Sequence, residues 1–220
     1  MIVLNVQDLS KTYLQGDTTV EVLSKVTFEL KTGETLSIVG PSGSGKTTLL
    51  SLLAGLEAAT SGSVFIKGEN IFSLSEMALS LFRSNHIGII FQQFHLMPHL
   101  TALENISLPL EIQGDSQAQQ KALEALEAVQ LSHRKNHLPR ELSGGECQRI
   151  AIARAIVVKP DLLLADEPSG NLDADTGKRI MDLIFNLVHQ NKMTLILVTH
   201  NQELAKRCHR QIILQGGTVQ

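Results

Sequence analysis

Apolar and polar positions repeat with two different periods along this chain, and the places where the period changes divide it. Residues 2–9 and 20–30 read as strands, with Val20, Val22, Val26, Phe28 and Leu30 alternating with polar neighbours as in a sheet wet on one face. Between them, residues 11–17 read as a turn that carries the only tyrosine, Tyr13. Lys31-Thr32-Gly33-Glu34 is a second turn, leading into the apolar run Leu36-Ser37-Ile38-Val39, a buried strand. Thr60-Ser61-Gly62 turns into a short strand over 63–66, and Lys67-Gly68-Glu69-Asn70 turns out of it. Residues 73–84 suit a helix: Ser73 caps it, Glu76 completes a capping box, and Leu74, Met77 and Leu81 share a face. Residues 87–91 read as a buried strand that ends at Gln92-Gln93.

From residue 94 the strand-like runs stop. Ala118, Ala122, Ala125 and Val129 recur at helical spacing, with Leu123 and Leu126 widening the stripe. Strands return at 162–165 and 194–198, and between them a helix carries Ile180, Ile184, Leu187 and Val188 on its inner face. A short helix over 202–208 and a strand over 211–214 close the chain. The reading is one α/β domain over 1–220, its core formed by 1–93 and 159–220, with a helical subdomain inserted at about 94–158.

Composition narrows the function classes. A net charge of -3 gives no general attraction to nucleic acid or an anionic membrane, so no nucleic-acid partner is expected. Cys147 and Cys208 lie far apart without metal-ligand spacing and read as reduced thiols of a cytosolic protein. No apolar run approaches the roughly 20 residues of a membrane span. The opening Met1-Ile2-Val3-Leu4-Asn5-Val6 alternates like a strand and lacks the charged start of a signal peptide. Any membrane role is expected to come through a partner.

The chemistry centres on Gly40-Pro41-Ser42-Gly43-Ser44-Gly45-Lys46-Thr47-Thr48, set between a buried strand and an apolar helix. That is the context a phosphate loop requires. Its glycines let backbone N–H groups converge on one point, and the next helix adds its unpaired N-terminal amides. Lys46 then reaches the β- and γ-phosphates, and the Thr47 hydroxyl holds Mg²⁺. Asp166-Glu167-Pro168 follows four apolar residues, which places two carboxylates at the C-terminal edge of a parallel sheet, where such folds bind ligands. Asp166 suits Mg²⁺. Glu167 is placed to orient or deprotonate an attacking water.

Just upstream, Leu142-Ser143-Gly144-Gly145-Glu146 opens a helix, a second outward-facing anion site built from a hydroxyl, glycine amides and a helix N-terminus. Here the chain resembles the ATP-binding cassette (ABC) proteins, over its whole length. The resemblance implies a P-loop NTPase core with a mixed sheet, an N-terminal antiparallel β subdomain and an inserted α-helical subdomain. It implies that Ser143, Gly144 and Gly145 close on ATP held by a second copy of the chain. By the same resemblance, Gln92 senses Mg²⁺ and the γ-phosphate and faces a membrane subunit, and Asp173 belongs to a loop that contacts the opposite copy. His200 hydrogen-bonds the γ-phosphate and Tyr13 stacks on adenine. Two residues depart from the commonest pattern: Glu146 stands where glutamine is usual, and Cys147 follows it.

Within the family, Phe91-Gln92-Gln93-Phe94-His95-Leu96-Met97-Pro98, Thr101-Ala102-Leu103-Glu104-Asn105-Ile106 and Ser169-Gly170-Asn171-Leu172-Asp173 resemble the lipoprotein-releasing LolD, YbbA and MacB-type group. That implies an ATPase at the cytoplasmic face of the inner membrane. It drives an integral-membrane subunit with a large extracytoplasmic domain, which docks near residues 92–100. The alternatives are the ATPase of a small-solute importer, disfavoured by a chain that stops at Gln220, and a soluble cassette acting on nucleic acid or ribosomes. The latter lacks its marks here: no heptads, no Cys/His cluster and no basic excess.

Overall fold

The structure, a computed structural model, describes residues 1–16 and 18–220. It divides into two compact units, Met1–Arg83 with Lys192–Gln220, and Ser84–Asn191.

In the first unit, β1 (Ile2–Gln15) pairs antiparallel with β2 (Thr18–Lys31), and β4 (Ser61–Ile66) pairs with the other edge of β1 and with β5 (Glu69–Asn70). The turn expected over 11–17 is instead mostly strand. Tyr13 pairs with Val20 and Gln15 with Thr18, leaving Gly16 (φ 61) at the described edge of the turn; Asp17 lies outside the described residues. Thr12, Tyr13, Thr19 and Val20 are good strand formers, and pairing overrides a composition that reads as loop. The hydrophobic alternation of β2 is also interrupted. Asp8 and Lys25 both hold φ 47, the register shifts beside them, and the buried side resets: Leu23 and Val26 are buried while Val20 is 39% exposed.

A second sheet carries β3 (Thr35–Val39), flanked in parallel by β8 (Thr194–Val198) and β9 (Arg210–Gln215), with β10 (Thr218–Val219) antiparallel to β9. Every residue of β3 and β8 is buried, the polar Thr35, Ser37 and Thr194 included. α1 (Lys46–Leu53) follows β3 and buries Leu49, Leu50, Leu52 and Leu53. α7 (Gln202–Ala205) is shorter than the 202–208 helix expected.

α2 (Glu76–His86) corrects the helix read at 73–84. Ile71–Ser73 forms a single 3-10 turn capped by Asn70, and the Ser73 hydroxyl donates to Asn70 O at 2.7 Å. The cap is Ser75, whose Oγ accepts from the Ala78 N–H at 3.3 Å. Leu74 precedes the helix, and its expected companions Met77 and Leu81 are 84% and 62% exposed.

In the second unit β6 (Ile87–Ile90) pairs parallel with β7 (Leu162–Asp166). α3 (Ala102–Ile112), α4 (Ala118–Ala128) and α5 (Gly144–Ile156) pack on one another, and α6 (Ala174–Gln190) packs on α5. Ala118, Ala122, Ala125, Leu126 and Val129 are buried, as the spacing predicts, whereas Leu123 is 37% exposed. Ile180, Ile184, Leu187 and Val188 form the buried face of α6. Among the described residues, no helix is long and apolar enough to cross a membrane.

Candidate functional site

The segment 40–45 leaves β3 and enters α1 in a shape set by its neighbours. A Cβ on Gly40 would overlap the Leu214 carbonyl of β9, and one on Gly45 (φ 96) would lie 2.9 Å from Val22 O in β2. The loop is therefore held between two strands by backbone contacts that only glycine permits. Lys46 is buried, and its ammonium donates to Gly40 O at 3.0 Å and Pro41 O at 2.8 Å, curling the loop over its own side chain. Ser44 Oγ is buried without a hydrogen-bond partner among the described residues, and Gly45 gives α1 no side-chain cap. A buried hydroxyl, uncapped helix amides and a buried lysine ammonium are donors of the kind an anion takes up. A triphosphate supplies acceptors for those donors, so the residues present fit the ligand.

His200 and Tyr13 join this loop in the first unit. Ile38 pairs with Val198, so continuing that register brings His200 level with Gly40 at the C-terminal edge of the sheet. Tyr13 projects from β1, its hydroxyl donating to Glu57 Oε2 at 2.6 Å. That bond to Glu57, and then burial, raise the phenol's pKa above its usual range, while a contact with Thr48 lowers it.

The second unit gathers Gln92, Asp166 and Glu167. Ile90 pairs with Ala165, so Phe91 and Gln92 fall opposite Asp166 and Glu167 as the two strands end. Glu167 holds φ 42, a left-handed backbone that a glutamate adopts only at a cost of about 1–3 kcal/mol. Gln92 Nε2 donates to Asn171 Oδ1 at 3.1 Å, and Asn171 Nδ2 donates back to Gln92 O at 3.1 Å. Gln148, wholly buried on α5, donates to Phe91 O at 3.3 Å and Pro168 O at 2.7 Å, tying the ends of β6 and β7 together. Asp173 caps α6 by accepting from Thr176 N at 3.0 Å, a backbone bond that holds its carboxyl below the usual range.

Ser143 caps α5, its exposed hydroxyl accepting from Glu146 N at 3.3 Å, and Gly144 and Gly145 lie against Leu172 and Thr176. The loop after β6 is pinned from two sides. Arg154 donates to the carbonyls of Phe94 and His95 at 3.0 and 2.6 Å, and Asn105 bonds Met97 through both backbone groups. Sequence reasoning gave Gln148, Arg154 and Asn105 no role of their own and read Asn171 only as part of the loop that contacts the opposite copy. Only Gln148 left a visible signal, as an amide amid the apolar residues Cys147, Ile150 and Ala151 of one helix face.

The ABC transporter family profile matches residues 23–170. The chain belongs to the ABC transporter family. It is 46% identical over 100% of its length to "Lipoprotein-releasing system ATP-binding protein LolD" of Shewanella oneidensis, covering 96% of that protein. It is also 46% identical, over 99% of its length and 96% of the relative, to "Uncharacterized ABC transporter ATP-binding protein YbbA" of Escherichia coli. Among solved structures, it is similar to the ATP-binding cassette MJ0796, described as a dimer in a post-hydrolysis state bound to ADP and Pi. That likeness has a TM-score of 0.90 and 39% identity, over 99% of this chain and 96% of the other. The expected ABC ATPase fold, with an antiparallel sheet, a mixed sheet and a run of helices, is the one observed. As an ATP-binding subunit of this family, the chain is an ATPase coupled to transport, with ATP as substrate and Mg²⁺ as cofactor. The hydroxyl of Thr47, the amide of Gln92 and the carboxylate of Asp166 are oxygen donors of the kind Mg²⁺ selects.

Proposed function

We propose that this chain is the motor of a LolD-type transporter, a peripheral subunit at the cytoplasmic face of the inner membrane. It drives a membrane subunit with a large extracytoplasmic domain to release lipoproteins or export amphiphiles. The observation that carries this reading is the 46% identity, over essentially the whole chain, with LolD and YbbA. The membrane subunit docks near residues 92–100, whose exposed Met97, Pro98 and His99 stand on a loop made firm by Arg154 and Asn105. Residues 94–158 act as the helical subdomain that carries the signature turn, and the rest as the nucleotide-binding core.

Two copies close head to tail on two ATP molecules, a reading supported by the dimeric cassettes that this chain resembles. Gly40 to Thr48 cradle the phosphates of one nucleotide, and Tyr13 stacks on its base. Ser143, Gly144 and Gly145 of each copy, with Asp173, serve the nucleotide held by the other. Thr47, Asp166 and Gln92 would hold Mg²⁺, which when bound would neutralise charge on the phosphate oxygens. Glu167 accepts a proton from the attacking water as its oxygen bonds to the γ-phosphorus and the bond to the ADP oxygen breaks. Lys46 and His200 donate hydrogen bonds to the γ-phosphate oxygens. Closure follows because the γ-phosphate binds the closed arrangement better than the open one, and its departure reopens the pair.

The test is to tag the chain in its native host, solubilise membranes gently and identify what co-purifies. A few-span subunit with a large extracytoplasmic domain is expected. A many-span permease with a solute-binding protein would make the chain an importer motor. Ribosomes or DNA without a membrane protein would overturn the transport role.

A further inference from the structure

Tyr13 sits in a cluster that its proposed stacking role does not explain. Lys11 and Tyr13 are two residues apart on β1 and so share a face of the strand. The Lys11 ammonium lies 4.8 Å from the Tyr13 ring centroid, over its face. The same nitrogen donates to Ala58 O at 2.7 Å and pairs with Glu57 Oε2 at 3.3 Å. That carboxylate oxygen also accepts the Tyr13 hydroxyl at 2.6 Å. The segment that supplies Glu57 and Ala58 is itself tied to β1, since Thr12 N donates to Thr60 Oγ1 at 2.9 Å and Thr60 N donates to Ser10 O at 2.9 Å.

We propose that Lys11 and Glu57 are positioning residues that hold the Tyr13 ring as a one-sided platform for the purine base of the nucleotide. The proposal rests on the base-stacking role assigned to Tyr13 above. An unrestrained tyrosine on a strand edge turns about two side-chain torsions and offers either face. Here the phenol oxygen is anchored at one end, which fixes the ring plane. One face is occupied by an ammonium whose donors are spread over a carbonyl, a carboxylate and the ring. The Lys11 ammonium covers one face of the ring, and Tyr13, 37% exposed, keeps accessible surface. The cation also draws π density toward its own side, which favours an electron-rich base on the other. The electrostatics agree with an ionised anchor: the bond from Tyr13 holds the Glu57 carboxyl below its usual range, and Lys11 adds to that.

The experiment measures ATP turnover and thermal midpoints for Tyr13→Ala, Tyr13→Phe, Glu57→Ala, Lys11→Met and the double variant Tyr13→Phe/Glu57→Ala. Glu57→Ala is expected to raise KM for ATP about three- to tenfold with kcat within about twofold. Adding it to Tyr13→Phe changes KM no further, since the carboxylate acts through the phenol hydroxyl. Lys11→Met raises KM about two- to fourfold. If Tyr13→Ala leaves KM unchanged, the stacking role itself fails and the proposal falls with it. If Tyr13→Ala raises KM while Glu57→Ala and Lys11→Met do not, the platform stands and its positioning by these residues is overturned. A lowered thermal midpoint with unchanged KM overturns it too, by assigning the cluster to fold stability.

Discussion

Arg134 donates through Nε to Glu146 Oε1 at 2.8 Å, and the other carboxylate oxygen of Glu146 accepts from the N–H and the hydroxyl of Ser143 at 2.8 and 3.0 Å. The glutamate that departs from the usual signature is thus compensated by a cation and made part of the helix cap. Its carboxyl is held below the usual range, first by the Ser143 backbone bond and further by the Ser143 hydroxyl and Arg134. A depressed carboxylate contributes stability that is complete above its unfolded value and lost as pH falls through the folded one. Glu146→Ala is expected to cost about 0.5–1 kcal/mol in urea unfolding at pH 7, and Glu146→Gln less. Between about pH 5 and 3 the wild type should lose that advantage over Glu146→Gln, and equal slopes of midpoint against pH would contradict the role.

Glu167 combines a left-handed backbone with the proposed base. Glu167→Gln should bind ATP, form the ATP-bound dimer and turn over about 10²–10⁴-fold more slowly. Glu167→Gly should be as inactive but melt higher than Glu167→Ala, because glycine removes the strain at φ 42. Calorimetry beside a phosphate-release assay separates the two effects.

Ser44 predicts opposite responses with and without nucleotide. Its buried hydroxyl lacks a partner among the described residues, so Ser44→Ala should leave the nucleotide-free thermal midpoint unchanged or raised. The upward shift on adding ATP should shrink, with affinity falling about tenfold. Lys46→Ala should lose more affinity still.

Gly170 lies against Gln92: a Cβ there would come within 2.8 Å of Gln92 Nε2. Gly170→Ala should push the amide away from its Asn171 partner. Turnover is expected to fall about tenfold or more, since small misplacements at a reacting centre are costly, while ATP affinity stays close to wild type. Single-turnover and equilibrium binding measurements distinguish these.

Neither cysteine should react readily. Burial pushes the Cys208 thiol up to about 11, and burial with the nearby Glu146 charge raises Cys147. Against the ordinary thiol value of 9.0 from which it is raised, Cys208 offers about 100-fold less thiolate at neutral pH, so alkylation of the native chain should be correspondingly slow and speed up on unfolding.

What was legible in the sequence was what short spacing encodes. Lys46 after Gly45 and Ser143 before two glycines each mark a turn into a helix N-terminus, and Glu167 after Asp166 marks the end of a buried strand. Helix faces such as Ile180 to Val188 were legible because burial is one-sided and periodic. The outer part of the hairpin was not, because its strands are polar and their pairing, not burial, makes them extended. The start of α2 was misread because Ser73 and Ser75 are chemically alike, and only the 3-10 turn from Asn70 decides between them. The cluster of Lys11, Tyr13 and Glu57 was out of reach, since hydrogen bonds spanning 44 residues leave no pattern in a single chain.

Tyr13 and the loop over 40–45 are both placed by one strand. Tyr13 is registered to Val20 of β2, and Gly45 of the phosphate loop rests on Val22 of the same strand. β2 thereby serves as a ruler, and its increments are about 3.4 Å per residue. The register shifts beside these marks, Thr12 pairing with Glu21 and Lys11 with Leu23, so Val22 is the extra residue of a bulge on β2, and deleting it would regularise the ladder and remove the contact on which Gly45 rests. The separation of Tyr13 from the loop over 40–45 is thus written into the strand before any ligand arrives.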